Sequence, residues 1–293
     1  RFKFSKEGEF MDNDRYMATP PWTSLRELEY ASQQVEQDDT VGTEYIRWLN
    51  MLIAPGSSLG GARPKANILD NNGQLWIAKF PSNHDNKDIG VWEYVSWKMA
   101  RLCGINMSES RLQKLNSRNH TFLTKRFDRT NKGKRIHFSS AMTMLGHVDG
   151  ESHLDGISYL EMVEWIMANC ENTGENLEQL WRRVVFNIAV SNCDDHLRNH
   201  GFMLNKKGWQ LSPAYDINPD EYGTGLKLNV SEHDNSLDFD LALSVAPYFH
   251  LDTKKAGQIL AEIRSVVSRW SRFATECGIS KSEQEQVSGA YRY

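Results

Sequence analysis

Ser191-Asn-Cys-Asp-Asp-His-Leu-Arg-Asn199 is the stretch on which the reading of this sequence turns. Asp194 and Asn199 stand five residues apart, and Asp216 follows Asn199 by seventeen. A carboxylate and an amide at that spacing form the D-x-x-x-x-N arrangement of phosphoryl-transfer loops. There the carboxylate accepts a hydroxyl proton and the amide oxygen holds a metal. The residues between Asn199 and Asp216 read as a hairpin: Gly201-Phe-Met-Leu204, a turn at Asn205-Lys-Lys-Gly208, then Trp209-Gln-Leu211. Such a hairpin returns Asp216 to the neighbourhood of Asn199, so two oxygen donors would share Mg²⁺ on a nucleotide's phosphates.

The rest of the chain has the size and composition to support such a site. Its 293 residues are enough for two lobes or domains, and 40% apolar with 25% charged residues is the balance of a soluble globular protein. No run of eighteen apolar residues occurs, so no membrane span is expected. Arg1-Phe-Lys-Phe4 has neither an initiating Met nor an apolar signal region, and reads as a trimmed start. Cys103, Cys170, Cys193 and Cys277 fit neither a disulfide framework nor a zinc spacing, which points to a reducing cytoplasm. A net charge of −4 argues against the whole chain being a nucleic-acid binder. Lys98 to Arg135 nonetheless holds eleven Lys or Arg against Glu109 and Asp128 alone. That segment is a solvated basic face or a surface for an acidic or phosphate-bearing partner.

Outward from the loop, helical periodicity predicts helices over Thr23–Glu36, Gly42–Ile53, Asp88–Cys103, Tyr159–Ala168 and Leu177–Ser191. Further helices are predicted over Asp238–Ala246, Thr253–Cys277 and Lys281–Tyr291. Strands are predicted at Ala66–Leu69 and Leu75–Phe80, joined by the turn Asp70-Asn-Asn-Gly73, and at Arg111–Leu115 and Thr121–Phe127. The resulting plan is α+β and bilobal, like a protein kinase. A small β-containing N-terminal lobe (residues 1–127) precedes a mostly helical C-terminal lobe (residues 128–293).

Other parts of a phosphotransferase are present in order. A lone Lys79 in a mixed strand ordinarily just faces solvent. With the Asp194, Asn199 and Asp216 set downstream, it reads as the strand lysine that meets the α- and β-phosphates, and Glu93 on the following helix as its acidic partner. Ser57-Ser-Leu-Gly-Gly-Ala-Arg-Pro-Lys65 is an ordinary glycine-rich connection or a loop whose N–H groups cover phosphates. It is neither G-x-G-x-x-G nor a Walker sequence. His196 and His200, at i and i+4 beside Asp194, would suit a transition metal on a helix, but the strand that follows argues for a loop.

Taken together, five segments resemble the HipA family of serine/threonine kinases, the toxins of bacterial type II toxin–antitoxin modules. They are Ser57–Lys65, Ile77-Ala-Lys-Phe80, Lys125-Arg-Phe-Asp-Arg129, Asn192–Asn199 and Leu211-Ser-Pro-Ala-Tyr-Asp-Ile217. The resemblance implies Asp194 as catalytic base, Asn199 and Asp216 as magnesium ligands, and Lys79 as the phosphate lysine. It implies an adenine-contacting hinge at Lys125, Arg126 and Phe127, and nucleotide contacts from His196 and Tyr215. Gly60, Gly61, Ala62, Arg63, Pro64 and Lys65 match the family's phosphate loop. Ser58 matches its autophosphorylated serine, with Ser57 alongside. A dianionic phosphoserine could not share the loop's amides with ATP, so modification would switch the enzyme off. The resemblance further implies ATP and Mg²⁺ as cofactors, an aminoacyl-tRNA synthetase as a substrate type, and a small helix-turn-helix antitoxin through which DNA is reached. It also implies an additional N-terminal subdomain ahead of Arg1.

Two other readings stand beside the kinase. One is a nucleotide-binding corepressor without turnover, acting through an antitoxin. The other is a metal-dependent phosphohydrolase using Asp194, His196 and His200.

Overall fold

A computed structural model describes residues 19–36, 52 and 63–293. The chain divides into two compact units. One comprises Arg1–Gly90 with Ser110–Arg126, the other Val91–Glu109 with Phe127–Tyr293.

The first unit is built on a four-stranded antiparallel sheet in the order β1-β2-β4-β3, with β1 at Lys65–Leu69, β2 at Leu75–Lys79, β3 at Ser110–Lys114 and β4 at His120–Lys125. The β1–β2 turn forms because Asp70 organises it. Its carboxylate accepts the N–H groups of Asn72 (2.9 Å) and Gln74 (2.8 Å) and the indole N–H of Trp76 (3.0 Å), while Gly73 takes the left-handed φ of 71°. Helix α1, Leu25–Val35, lays Leu25 and Leu28 on a core of Ala66, Ile68, Trp76, Ala78, Phe80 and Leu123. On the same helix Glu29 is fully buried. It accepts the backbone N–H groups of Asn116 (2.7 Å) and Ser117 (3.2 Å) and the hydroxyls of Ser117 and Thr121 (both 3.2 Å), clasping the β3–β4 turn. Glu29→Ala strands those donors and is expected to cost about 2–3 kcal/mol, read as a lowered denaturation midpoint.

Helix α2, Ile89–Leu102, begins against β4. The carboxylate of Asp88 accepts the His120 backbone N–H (3.0 Å) and meets its imidazole Nδ1 (2.6 Å), and a Cβ at Gly90 would collide with the His120 carbonyl. Only glycine permits that approach.

The second unit is mostly helical, with a small sheet of β5 (His137–Ser140), β6 (Gly201–Leu204) and β7 (Trp209–Leu211) in that order. Its helices are α3 (Ala141–Leu145), α4 (Tyr159–Asn169), α5 (Thr173–Val190), α6 (Phe239–Val245), α7 (Thr253–Val267), α8 (Trp270–Glu276) and α9 (Lys281–Val287). A capping box of Ser158 with Glu161 starts α4. The central member is α5, buried without interruption from Leu180 to Val190.

Most sequence-predicted elements appear within a few residues of their expected bounds. The single helix expected over Thr253–Cys277 is instead two, broken at Ser268 and Arg269. The Ser268 hydroxyl and Arg269 Nε both donate to the Ser265 carbonyl (3.0 and 3.1 Å), local bonds that compete with continuing the helix. Strand β5 and helix α3 carry too few residues to show a period and were not anticipated. The expected Gly42–Ile53 helix lies outside the described residues except for Leu52, which is helical. Among the described residues no helix is long and apolar enough to cross a membrane.

Candidate functional site

The loop after α5 is fixed from below. Ser191 ends the helix at φ 49°, and the chain then runs through Asn192 and Cys193 to Asp194, which is exposed. The Asp194 carboxylate has no hydrogen-bond partner among the described residues; its backbone carbonyl accepts the His196 N–H (2.9 Å) and the Asn199 side-chain N–H (3.1 Å). Asn199, itself buried, therefore spends its amide nitrogen inside the loop and keeps Oδ1 as an oxygen donor.

Asp195, one residue on, has the opposite environment. It is 3% exposed, and its Oδ2 accepts the Tyr159 phenol (2.6 Å), the Asn187 amide (2.7 Å) and His200 Nε2 (2.7 Å). Burial, with the Asp195 charge adding to it, holds the Tyr159 phenol protonated well above its usual range. Arg183, 2% exposed, is pushed down to about 10 by burial, partly offset by the Asp195 charge, and donates to the Ser212 carbonyl. One buried carboxylate thus ties α4, α5 and the start of β6 together directly beneath Asp194.

The segment carrying Asp216 is laced to this loop by three hydrogen bonds. Tyr215 donates its phenol to the Arg198 carbonyl (2.7 Å), the Asn218 N–H meets Asn192 Oδ1 (3.2 Å), and the Asp220 N–H meets the Ser191 carbonyl (3.1 Å). Asn192 in turn donates to Asn187 Oδ1 (3.1 Å), and Asn218 reaches Asp216 Oδ1 (3.4 Å). Asp216 itself sits at φ 60°, a left-handed conformation for a non-glycine residue. The hairpin does what its sequence implies: β6 pairs with β7, and the Ser212 N–H closes on the Gly201 carbonyl (2.8 Å). Its turn is held by Asn205 Oδ1, which accepts the N–H groups of Lys207 (2.7 Å) and Gly208 (3.1 Å).

Other residues are placed less centrally. Arg198 meets His196 Nε2 (3.0 Å) and pairs with Asp149, and among the described residues the buried His196 Nδ1 has no hydrogen-bond partner. His200 is committed to Asp195, so the two histidines serve different neighbours. The Cys193 thiol is pushed up to about 11 by burial and the Asp220 charge, so it stays a neutral thiol beside Asp194. Phe127 packs its ring 5.6 Å from Tyr215 and 5.5 Å from Phe138. Glu93 is buried on α2.

In the first unit, Lys79 is nine-tenths buried on β2, its Nζ 5.7 Å from the Phe122 ring centroid. Register places it directly opposite Lys65, so the two side chains share a face. Arg63 donates Nε to the Phe80 carbonyl (3.0 Å) and pairs with Asp85, and the Pro64 carbonyl accepts the Phe80 N–H (2.9 Å). Lys125 ends β4, and Arg126 follows it with its N–H on the Leu75 carbonyl (2.9 Å) and its guanidinium on Asn67 (3.0 Å). Ser57, Ser58, Gly60, Gly61 and Ala62 lie outside the described residues.

Asn187, Asn192, Asp195, Tyr159, Arg183 and Asn218 are the site residues that sequence reasoning missed. A signal was there for Asn187, the one polar residue in the apolar run Val184–Val190.

The fold is the α+β fold of HipA-type kinases. The Shewanella oneidensis toxin–antitoxin structure of HipA, HipB and operator DNA superposes with a TM-score of 0.63 at 20% identity, over 80% of this chain and 62% of that one. The Helicobacter pylori proinflammatory kinase CtkA gives 0.50 at 13% identity, over 77% and 92%. The model of the HipA-like C-terminal domain matches residues 57–270, and the chain belongs to that family. Serine/threonine-protein kinase toxin HipA of Shewanella oneidensis is 22% identical over 191 residues, 56% of this chain and 43% of its own length. The chain spans about half the length of the curated relatives it matches.

Proposed function

We propose that this chain is an ATP- and magnesium-dependent protein serine/threonine kinase of the HipA toxin type. The observation that carries this reading is the lacing of the Asp216 segment onto the Asp194–Asn199 loop, with Tyr215 on the carbonyl that precedes Asn199. A carboxylate that is exposed and has no hydrogen-bond partner among the described residues, an amide oxygen and a second carboxylate are then presented by two adjoining backbone segments.

In this reading Asp194 accepts the proton of the attacking hydroxyl. Asn199 Oδ1 and Asp216 are hard oxygen donors, which fit Mg²⁺ better than a softer metal. Bound magnesium would supply charge neutralisation on the β- and γ-phosphates. Lys79 and Lys65, two cations directly opposite on one sheet face, favour phosphate oxygens as company. Gly60 to Lys65 form the phosphate loop, with Arg63 braced by Asp85. The same reading assigns adenine contacts to Lys125, Arg126 and Phe127, nucleotide contacts to His196 and Tyr215, and the role of acidic partner to Glu93. Ser58 or Ser57 is the autophosphorylation site.

The substrate is a translation-related protein such as an aminoacyl-tRNA synthetase, and phosphorylating it arrests growth. The partner is a DNA-binding antitoxin, a proposal supported by the HipB and operator DNA present in the Shewanella complex.

Incubation with γ-labelled ATP tests the core of this. Label is expected on a peptide containing Ser57 and Ser58 in Mg²⁺, and none in EDTA. Tight ATP binding without any label would favour the corepressor reading instead.

A further inference from the structure

The last residues of the second unit reach back to the root of the catalytic loop. The Arg292 N–H donates to the Ala189 carbonyl (2.8 Å), and its guanidinium donates to the Ser191 hydroxyl. That hydroxyl in turn donates to the Ala290 carbonyl (2.6 Å). Ser191 is fully buried and holds φ 49° and ψ 49°, a conformation a non-glycine residue keeps only where its surroundings over-determine it. The surroundings here are residues 290–292, separated from Ser191 by about a hundred positions of chain.

Ser191 is also the junction on which both candidate segments hang. It lies three residues before Asp194, and its carbonyl accepts the N–H groups of Cys193 (2.9 Å) and Asp220 (3.1 Å). Rotating Ser191 out of the left-handed region would redirect that carbonyl. The Asp194 loop and the Asp216–Asp220 segment would then lose their common anchor. Between Ala290 and Arg292, Tyr291 is stacked on Trp270 with centroids 4.4 Å apart and planes 9° apart, and lies 6.3 Å from Trp92. The Trp92 indole donates to Glu283 (2.9 Å), so the residue next to Glu93 is braced by the same C-terminal region.

We propose that Arg292 is a positioning residue for phosphoryl transfer: with Ala290 and Tyr291 it forms a strap that holds Ser191 in its left-handed conformation and thereby aims Asp194. This rests on the kinase reading above. It makes the strap a point of control, since any contact that lifts residues 290–292 would slacken the loop without touching the nucleotide.

The test uses the whole chain and two substitutions of similar length. Arg292→Met keeps the apolar stem but removes the donor to Ser191, whereas Arg292→Lys keeps a donor. Arg292→Met is expected to lower kcat by about ten- to a hundredfold, the effect of a small misplacement of a reacting group. The KM for ATP should rise by much less than kcat falls, because the Asp216 segment keeps its bonds from Tyr215 to Arg198 and from Asn218 to Asn192 while the Asp194 loop loses its aim. Arg292→Lys should recover most of the rate. Amide exchange across Cys193–Asn199 should quicken in Arg292→Met and not in Arg292→Lys.

An undiminished kcat in Arg292→Met, in a chain whose unsubstituted form transfers phosphate, would overturn the proposal alone. So would a loss of rate that Arg292→Lys shares. Absence of transfer by the unsubstituted chain would overturn the kinase reading, and the proposal with it.

Discussion

Asp194→Asn is expected to abolish phosphoryl transfer while leaving ATP–magnesium binding close to its original strength. The substitution is isosteric, and the two hydrogen bonds that shape the loop here go to the Asp194 backbone carbonyl, from His196 and from Asn199. Neither depends on the side chain. On the proposed kinase reading, what disappears is the carboxylate assigned to take the hydroxyl proton, a contribution of about 10²- to 10⁴-fold. Single-turnover transfer and calorimetric titration with Mg-ATP, run on the same preparation, separate the two quantities. Persistence of transfer near the original rate would remove Asp194 from its assigned role. A parallel collapse of nucleotide binding would show that the side chain shapes the site as well.

Asp195→Ala should do the reverse: damage the fold first and the chemistry as a consequence. It leaves the Tyr159 phenol, the Asn187 amide and His200 without their acceptor, and leaves Arg183 buried with its nearest opposing charge gone. A buried donor left without its acceptor costs about 1–3 kcal/mol, so stranding these donors together is expected to cost about 3–5 kcal/mol. For a unit of this size that corresponds to a melting temperature lower by roughly 10 °C. Thermal unfolding followed by circular dichroism measures it. A melting temperature within a degree or two of the original would mean that Asp195 is not the anchor its contacts describe.

The contrast between these neighbours shows where sequence reading stops. The D-x-x-x-x-N spacing and the Asn205-Lys-Lys-Gly208 turn are local signals, and the loop and hairpin could be read from them directly. Which aspartate of the doublet faces outward is not local. It depends on Tyr159 from α4 and on Asn187 and Arg183 from α5, elements joined to the loop only in three dimensions. An arginine inside an apolar helix ordinarily marks a solvent-facing position, so nothing in the sequence of α5 announces that Arg183 is buried. Helix α7 ends at Val267 because Ser268 and Arg269 turn their side chains onto the Ser265 carbonyl, while the apolar period alone continues smoothly to Trp270 and Phe273. The Arg292–Ser191 contact leaves no trace in any window of sequence. Strands β1 and β2 were legible from the Asp70-Asn-Asn-Gly73 turn between them, and β4 from Thr121, Phe122 and Thr124. Strand β5, four residues long, offered neither.

Helix α5 has a consequence for how the site fails. Its backbone is enclosed on every side from Leu180 to Val190. Amides in such a stretch exchange with solvent only through opening of the whole cooperative unit, whereas surface loops fray independently. The Asp194 loop is suspended from this least openable segment. Its root at Val190 is therefore as durable as the second unit's fold, and what can loosen separately is the loop beyond it, where residues 290–292 hold Ser191.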